Sequence, residues 1–63
     1  MGWQVLFEIE APETITSEEL AAAINFEAGD EEWTTAEEVE KMRTKREFLK
    51  YSEGKWQLWG EMY

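Results

Sequence analysis

Sixty-three residues, with no cysteine or histidine and fifteen acids against six bases, give a chain of net charge −9. That length predicts one domain near the lower limit for independent folding. The missing residue types exclude disulfides, thiolate or imidazole metal ligands, and catalytic devices built on Cys or His.

The charge is unevenly spread. Residues 1–40 hold twelve acids and no base, whereas residues 41–63 hold three acids and the six bases Lys41, Arg43, Lys45, Arg46, Lys50 and Lys55. This opposes direct binding to nucleic acid or docking on an anionic bilayer, and it favours a basic protein surface. The competing reading is that the acids only keep the chain soluble. Residues 1–15 lack a basic start and an apolar run, and no stretch approaches the roughly 18 apolar residues of a membrane span. Neither a signal peptide nor a membrane anchor is therefore expected, and the cysteine-free composition fits the cytoplasm. Without disulfides, stability has to come from packing, for which the chain carries Trp3, Trp33, Trp56, Trp59, Phe7, Phe26, Phe48, Tyr51 and Tyr63.

In chain order, residues 3–10 predict a strand with Trp3, Val5, Phe7 and Ile9 on one face; Leu6 breaks the strict alternation. Pro12 ends it. Thr16 then reads as an N-cap, with Glu19 completing a capping box and Ile15 and Leu20 spaced as a hydrophobic staple. Leu20, Ile24 and Ala28 line the apolar side of this first helix, and Gly29-Asp30 marks its stop. Phe26 lies off that stripe, so either the helix ends near Asn25 or Phe26 reaches a second apolar surface. Thr34 or Thr35 caps a second helix, with Glu37 and Glu38 each three residues beyond one of them. Ala36, Val39 and Met42 form its stripe, with the stems of Arg43 and Arg46 beside it. Residues 46–52 and 55–61 read as a hairpin across Ser52-Glu53-Gly54-Lys55; helix-turn-strand is the alternative for the same residues. The expected fold is a small α+β domain in the order β-α-α-β-β, with a short antiparallel sheet packed against two helices.

Nothing in the sequence spells catalysis or a cofactor. Gly2, Gly29, Gly54 and Gly60 are isolated, so no phosphate-binding loop can be written. Carboxylates alone need a pocket that shifts their pKa values, and so short a chain has little interior for one. The expectation is a protein that is not an enzyme and holds no cofactor. Asp30, Glu31 and Glu32 offer oxygen ligands to Mg²⁺ or Ca²⁺, but without a twelve-residue EF-hand pattern they are expected to face solvent, and no metal site is assigned.

Two features remain as partner-binding candidates. The first is an acidic ridge of Glu27, Asp30, Glu31, Glu32, Glu37, Glu38 and Glu40, joined by Trp33, where the two helices meet their connection. The second is the excess of tryptophan, since aromatic side chains dominate interface hot spots; core packing is the expected role for Trp3 and for one of Trp56 and Trp59. One functional class is a protein-binding inhibitor whose carboxylates occupy a basic groove as a nucleic-acid mimic, the kind of role that would suit a phage- or plasmid-borne antagonist. The other is a small structural or accessory subunit of a larger assembly, held through exposed aromatics. An acidic patch without an apolar centre favours the first; an exposed aromatic patch with a polar rim favours the second.

Overall fold

The computed structural model describes residues 2–62. Tyr63, counted among the aromatics above, lies outside them. Strand β1 (Gly2–Glu10) is followed by helices α1 (Ser17–Ala28) and α2 (Ala36–Lys45), then by strands β2 (Leu49–Ser52) and β3 (Lys55–Met62). β3 is the middle strand of a three-stranded antiparallel sheet in the order β1-β3-β2, with both helices on one face. This is the β-α-α-β-β, α+β arrangement expected from the sequence.

The helix ends follow local chemistry. Thr16 caps α1, its hydroxyl oxygen accepting from the Glu19 N–H at 3.1 Å and donating to the Glu19 carboxylate at 3.0 Å. Gly29 closes α1 in the left-handed region at φ 72°, where an L side chain would be strained. Thr35, rather than Thr34, caps α2 by accepting from the Glu38 N–H at 3.2 Å. Thr34 is buried instead. α1 runs past Asn25 to Ala28, and Phe26 reaches no apolar surface: it is 85% exposed. Neither expectation for this stretch holds, because Asn25 turns inward as a clamp. Its side-chain amide donates to the Glu31 and Thr34 carbonyls, and its oxygen accepts from the Thr34 N–H at 2.8 Å. The next residue therefore points outward.

The hairpin forms, but β2 begins at Leu49 instead of residue 46. Arg46 (φ 57°) caps α2 in the left-handed region, and Phe48 (φ 65°) is left-handed too, so neither residue can lie in an extended strand. Glu53 and Gly54 form the two-residue turn, both with positive φ, which matches the twist of the strands they join.

The core lies between the sheet and the helices: Leu20, Ala21 and Ile24 of α1, Val39 of α2, and Ile9, Leu49, Trp56 and Leu58 of the sheet. Trp56 is the tryptophan that joins it. Its indole N–H donates to the Pro12 carbonyl at 3.1 Å, and the Arg43 guanidinium stacks 4.8 Å from its ring. Arg43 also donates to the carbonyls of Ile15 (2.7 Å) and Glu13 (3.1 Å), fastening α2 to the segment that leads into α1.

The predicted single apolar face of β1 is wrong in one respect. Val5 pairs with Trp59 and Phe7 with Leu58, so a β-bulge at Leu6 shifts the register between them. Phe7 and Ile9 face the helices with Leu58 and Trp56, whereas Trp3 and Val5 share the opposite face with Trp59 and Glu61. Trp3 is not a core residue; it is 56% exposed. Gly60 makes room for the bulge, since a Cβ there would lie 2.8 Å from Leu6 Cγ.

Candidate partner-binding surfaces

Six of the predicted ridge residues fall at one end of the helix pair. Glu27 is on the last turn of α1, Asp30, Glu31 and Glu32 are in the connection, and Glu37 and Glu38 are on the first turn of α2. All six are exposed. Glu40 does not join them. It accepts a hydrogen bond from the Ser17 hydroxyl at the start of α1, the other end of the pair, because its place midway along α2 turns it toward that neighbour.

Some of these acids also have local tasks. Asp30 Oδ1 accepts from the Glu32 N–H at 2.9 Å, Glu38 accepts from the Thr34 hydroxyl at 3.2 Å, and Glu37 lies 3.9 Å from Lys41. The last pair is largely exposed and contributes little to stability. Glu37 and Glu38 suit the positive end of the α2 dipole. Glu27 is placed against its dipole, at the negative end of α1, and no base shares that last turn. Asp30, Glu31 and Glu32 do not converge on a metal-ligating cluster among the described residues.

Trp33 is 42% exposed and meets Phe7 edge-on at 5.1 Å, so it links the acidic end to the sheet. It also borders a cleft of about 220 Å³ whose walls include Leu6, Met42 and Phe48.

A second surface occupies the sheet face away from the helices. Trp3 stacks on Phe48 at 5.3 Å, and with Trp59, Lys50 and Glu47 they line a shallow cavity of about 380 Å³. The Lys50 ammonium lies 5.6 Å from the Trp59 ring. The Trp59 indole nitrogen is buried without a hydrogen-bond partner among the described residues. Toward the hairpin turn the same face is polar. Glu8 accepts from Gln57 Nε2 at 3.0 Å and pairs with Lys55 at 3.4 Å. These contacts, the Gln57 hydrogen bond foremost, hold the Glu8 carboxyl below its ordinary value. Sequence reasoning noted the break at Leu6 but still kept Trp3 and Val5 on one face with Phe7 and Ile9, and so placed Trp3 in the core. The signals that mark it are Leu6 out of phase and a glycine at position 60.

The chain matches no protein-family model, no curated protein and no solved structure. Its function has to be read from its own residues. Among those described, no helix is long and apolar enough to cross a membrane.

Proposed function

We propose that this chain is a non-enzymatic binding module, working in the cytoplasm, that docks its acidic end on a basic surface of another protein. In its specific form it is an inhibitor that mimics nucleic acid and occupies the groove of a nucleic-acid-binding protein, with no contact of its own to nucleic acid or membrane. The observation that carries the reading is the placement of Glu27. A carboxylate at the negative end of a helix costs stability where a base would contribute about 0.3–1 kcal/mol, yet Glu27 is there among five further exposed acids. Charge held at some local cost supports a role in a contact with a basic surface.

The test neutralises acids that lack a local hydrogen-bonding role. Glu27, Glu31, Glu32 and Glu37 are changed together to Gln, leaving the contacts of Asp30 and Glu38 intact. The partner is captured from the native host at low and at high salt. Affinity for it should fall roughly tenfold or more, mainly through slower association, because long-range attraction acts on encounter. A variant that binds as the parent does at low salt would overturn the reading.

A second reading, an accessory subunit held by its exposed aromatics, is favoured by Trp3 and Phe48 on the open face of the sheet. On this reading, Trp3→Ser should abolish capture of neighbours that the acidic variant retains; unchanged capture would overturn it.

A further inference from the structure

The open face of the sheet breaks the usual rule for a sheet covered on one side only. Such a sheet normally shows polar residues to water, but here half of the face is apolar, with Trp3 56%, Phe48 43% and Val5 37% exposed. We propose that this face is the site of a homodimer, in which a second copy of the chain packs against it sheet to sheet.

The argument rests on rows of residues running across the strands. One row places Glu8 on β1, Gln57 on β3 and Lys50 on β2; another places Val5 on β1 beside Trp59 on β3. Phe48 lies just beyond Trp59, whose N–H donates to the Phe48 carbonyl at 2.6 Å. The β1 margin of this face carries Glu8 and Glu10, and the β2 margin carries Lys50 with Glu47 near it. A twofold axis running along β3 lays the β1 margin of each copy over the β2 margin of the other. Glu8 then faces the second copy's Lys50 twice over, and Val5 meets Phe48 in the same exchange, with Trp59 at the centre. This is the self-complementarity that a twofold interface requires, at the near-parallel strand alignment of packed sheets.

The Glu8–Lys50 exchange is the charge contact that favours a second copy. With a net charge of −9, two copies repel through most of their surfaces. The open face is less one-sided: it holds Lys50 and Lys55 beside Glu8, Glu10 and Glu61. Glu61, on β3 like Lys55, lies near the axis, where like charges meet. Lys55 falls near the axis, but it is already paired with Glu8 of its own copy at 3.4 Å. Three strands about 4.8 Å apart, none longer than nine residues at about 3.3 Å each, make a face smaller than the roughly 800 Å² per partner of a standard interface, so the dimer is weak and concentration-dependent. Its outer layers are the helices, so each dimer presents two acidic ends.

The inference rests on the second reading above, that the aromatics form an interface, and identifies the neighbour. It is tested with the chain alone, by sedimentation velocity and NMR diffusion from micromolar to millimolar concentration. The average mass should climb toward that of two chains. Trp3→Ser should weaken self-association by roughly tenfold or more, as loss of an aromatic anchor does, with an unchanged circular dichroism spectrum. Glu8→Lys and Lys50→Glu should each do the same, because each creates two like-charge pairs across the axis. An equimolar mixture of these two variants should recover association, since each then supplies the charge the other needs. A chain that stays monomeric throughout overturns the inference and leaves the subunit reading to its own capture test. Self-association that ignores Trp3→Ser, or a variant mixture that stays apart while the parent associates, overturns it as well.

Discussion

Trp56 and Trp59 are three residues apart on one strand, and the two faces of the sheet treat them oppositely. Trp56 is 6% exposed, with its indole N–H on the Pro12 carbonyl and a guanidinium against its ring. Trp59 is half-buried, its indole nitrogen has no partner among the described residues, and its neighbours Trp3 and Phe48 stand in solvent. The difference shows how a very short chain uses large aromatics. On the covered face the ring fills the core and its polar atom is satisfied, which is how a buried tryptophan stabilises. On the open face the rings cover one another only in part, Trp3 stacked on Phe48, so much of their apolar area stays in water and contributes less to folding.

The sharpest way to test this contrast is to remove each ring. Trp56→Ala should cost about 3–5 kcal/mol, as a large core truncation does. That is comparable with the whole stability of a domain of this length, roughly 0.05–0.15 kcal/mol per residue. Trp59→Ala should cost no more than about half as much, because part of its ring already faces water. Urea melts of dilute protein measure both, and equal losses would mean that the two faces are equally structural.

The next effect concerns the support around Trp56. Arg43→Met keeps an aliphatic stem but removes the stacked guanidinium and leaves the Ile15 and Glu13 carbonyls without their donor. Losing charged hydrogen bonds of this kind should cost about 1–3 kcal/mol and shift the tryptophan fluorescence. A silent substitution would show that packing alone seats Trp56.

The smallest effect is on the open face. The Glu8 carboxyl is lowered from 4.5 by the Gln57 hydrogen bond and then by Lys55. A depressed folded value means that these contacts favour the fold above the unfolded value, and that this is lost as pH falls through the folded one. Exposure of both Glu8 and Lys55 to solvent keeps the contribution small. Gln57→Ala should bring the Glu8 titration up toward its ordinary value, which carboxyl-detected NMR follows residue by residue. A titration that does not move would assign the lowering to Lys55.

Local signals along the chain set the order of the elements and several of their ends, while residues 46–52 stayed open between strand and helix until the structure placed the start of β2 at Leu49. Thr16 with Glu19, Gly29 and the Glu53-Gly54 turn act within a few residues, so their chemistry is complete without the rest of the chain, whereas the α2 cap stayed open between Thr34 and Thr35 until the structure chose Thr35. The acidic end was legible for the same reason: six of its carboxylates lie between Glu27 and Glu38. What only the tertiary structure decided is which side of the sheet each aromatic occupies. A single extra residue reverses every side chain beyond it. The bulge at Leu6 seats its side chain against Gly60, more than fifty residues away, where a Cβ would collide with it. Asn25 likewise reads as a helix-ending residue until the connection it clamps has folded back onto it, and Glu40 joins Ser17 only once α2 lies along α1. Each of these contacts joins residues too far apart in the chain for caps, turns or periodicity to register.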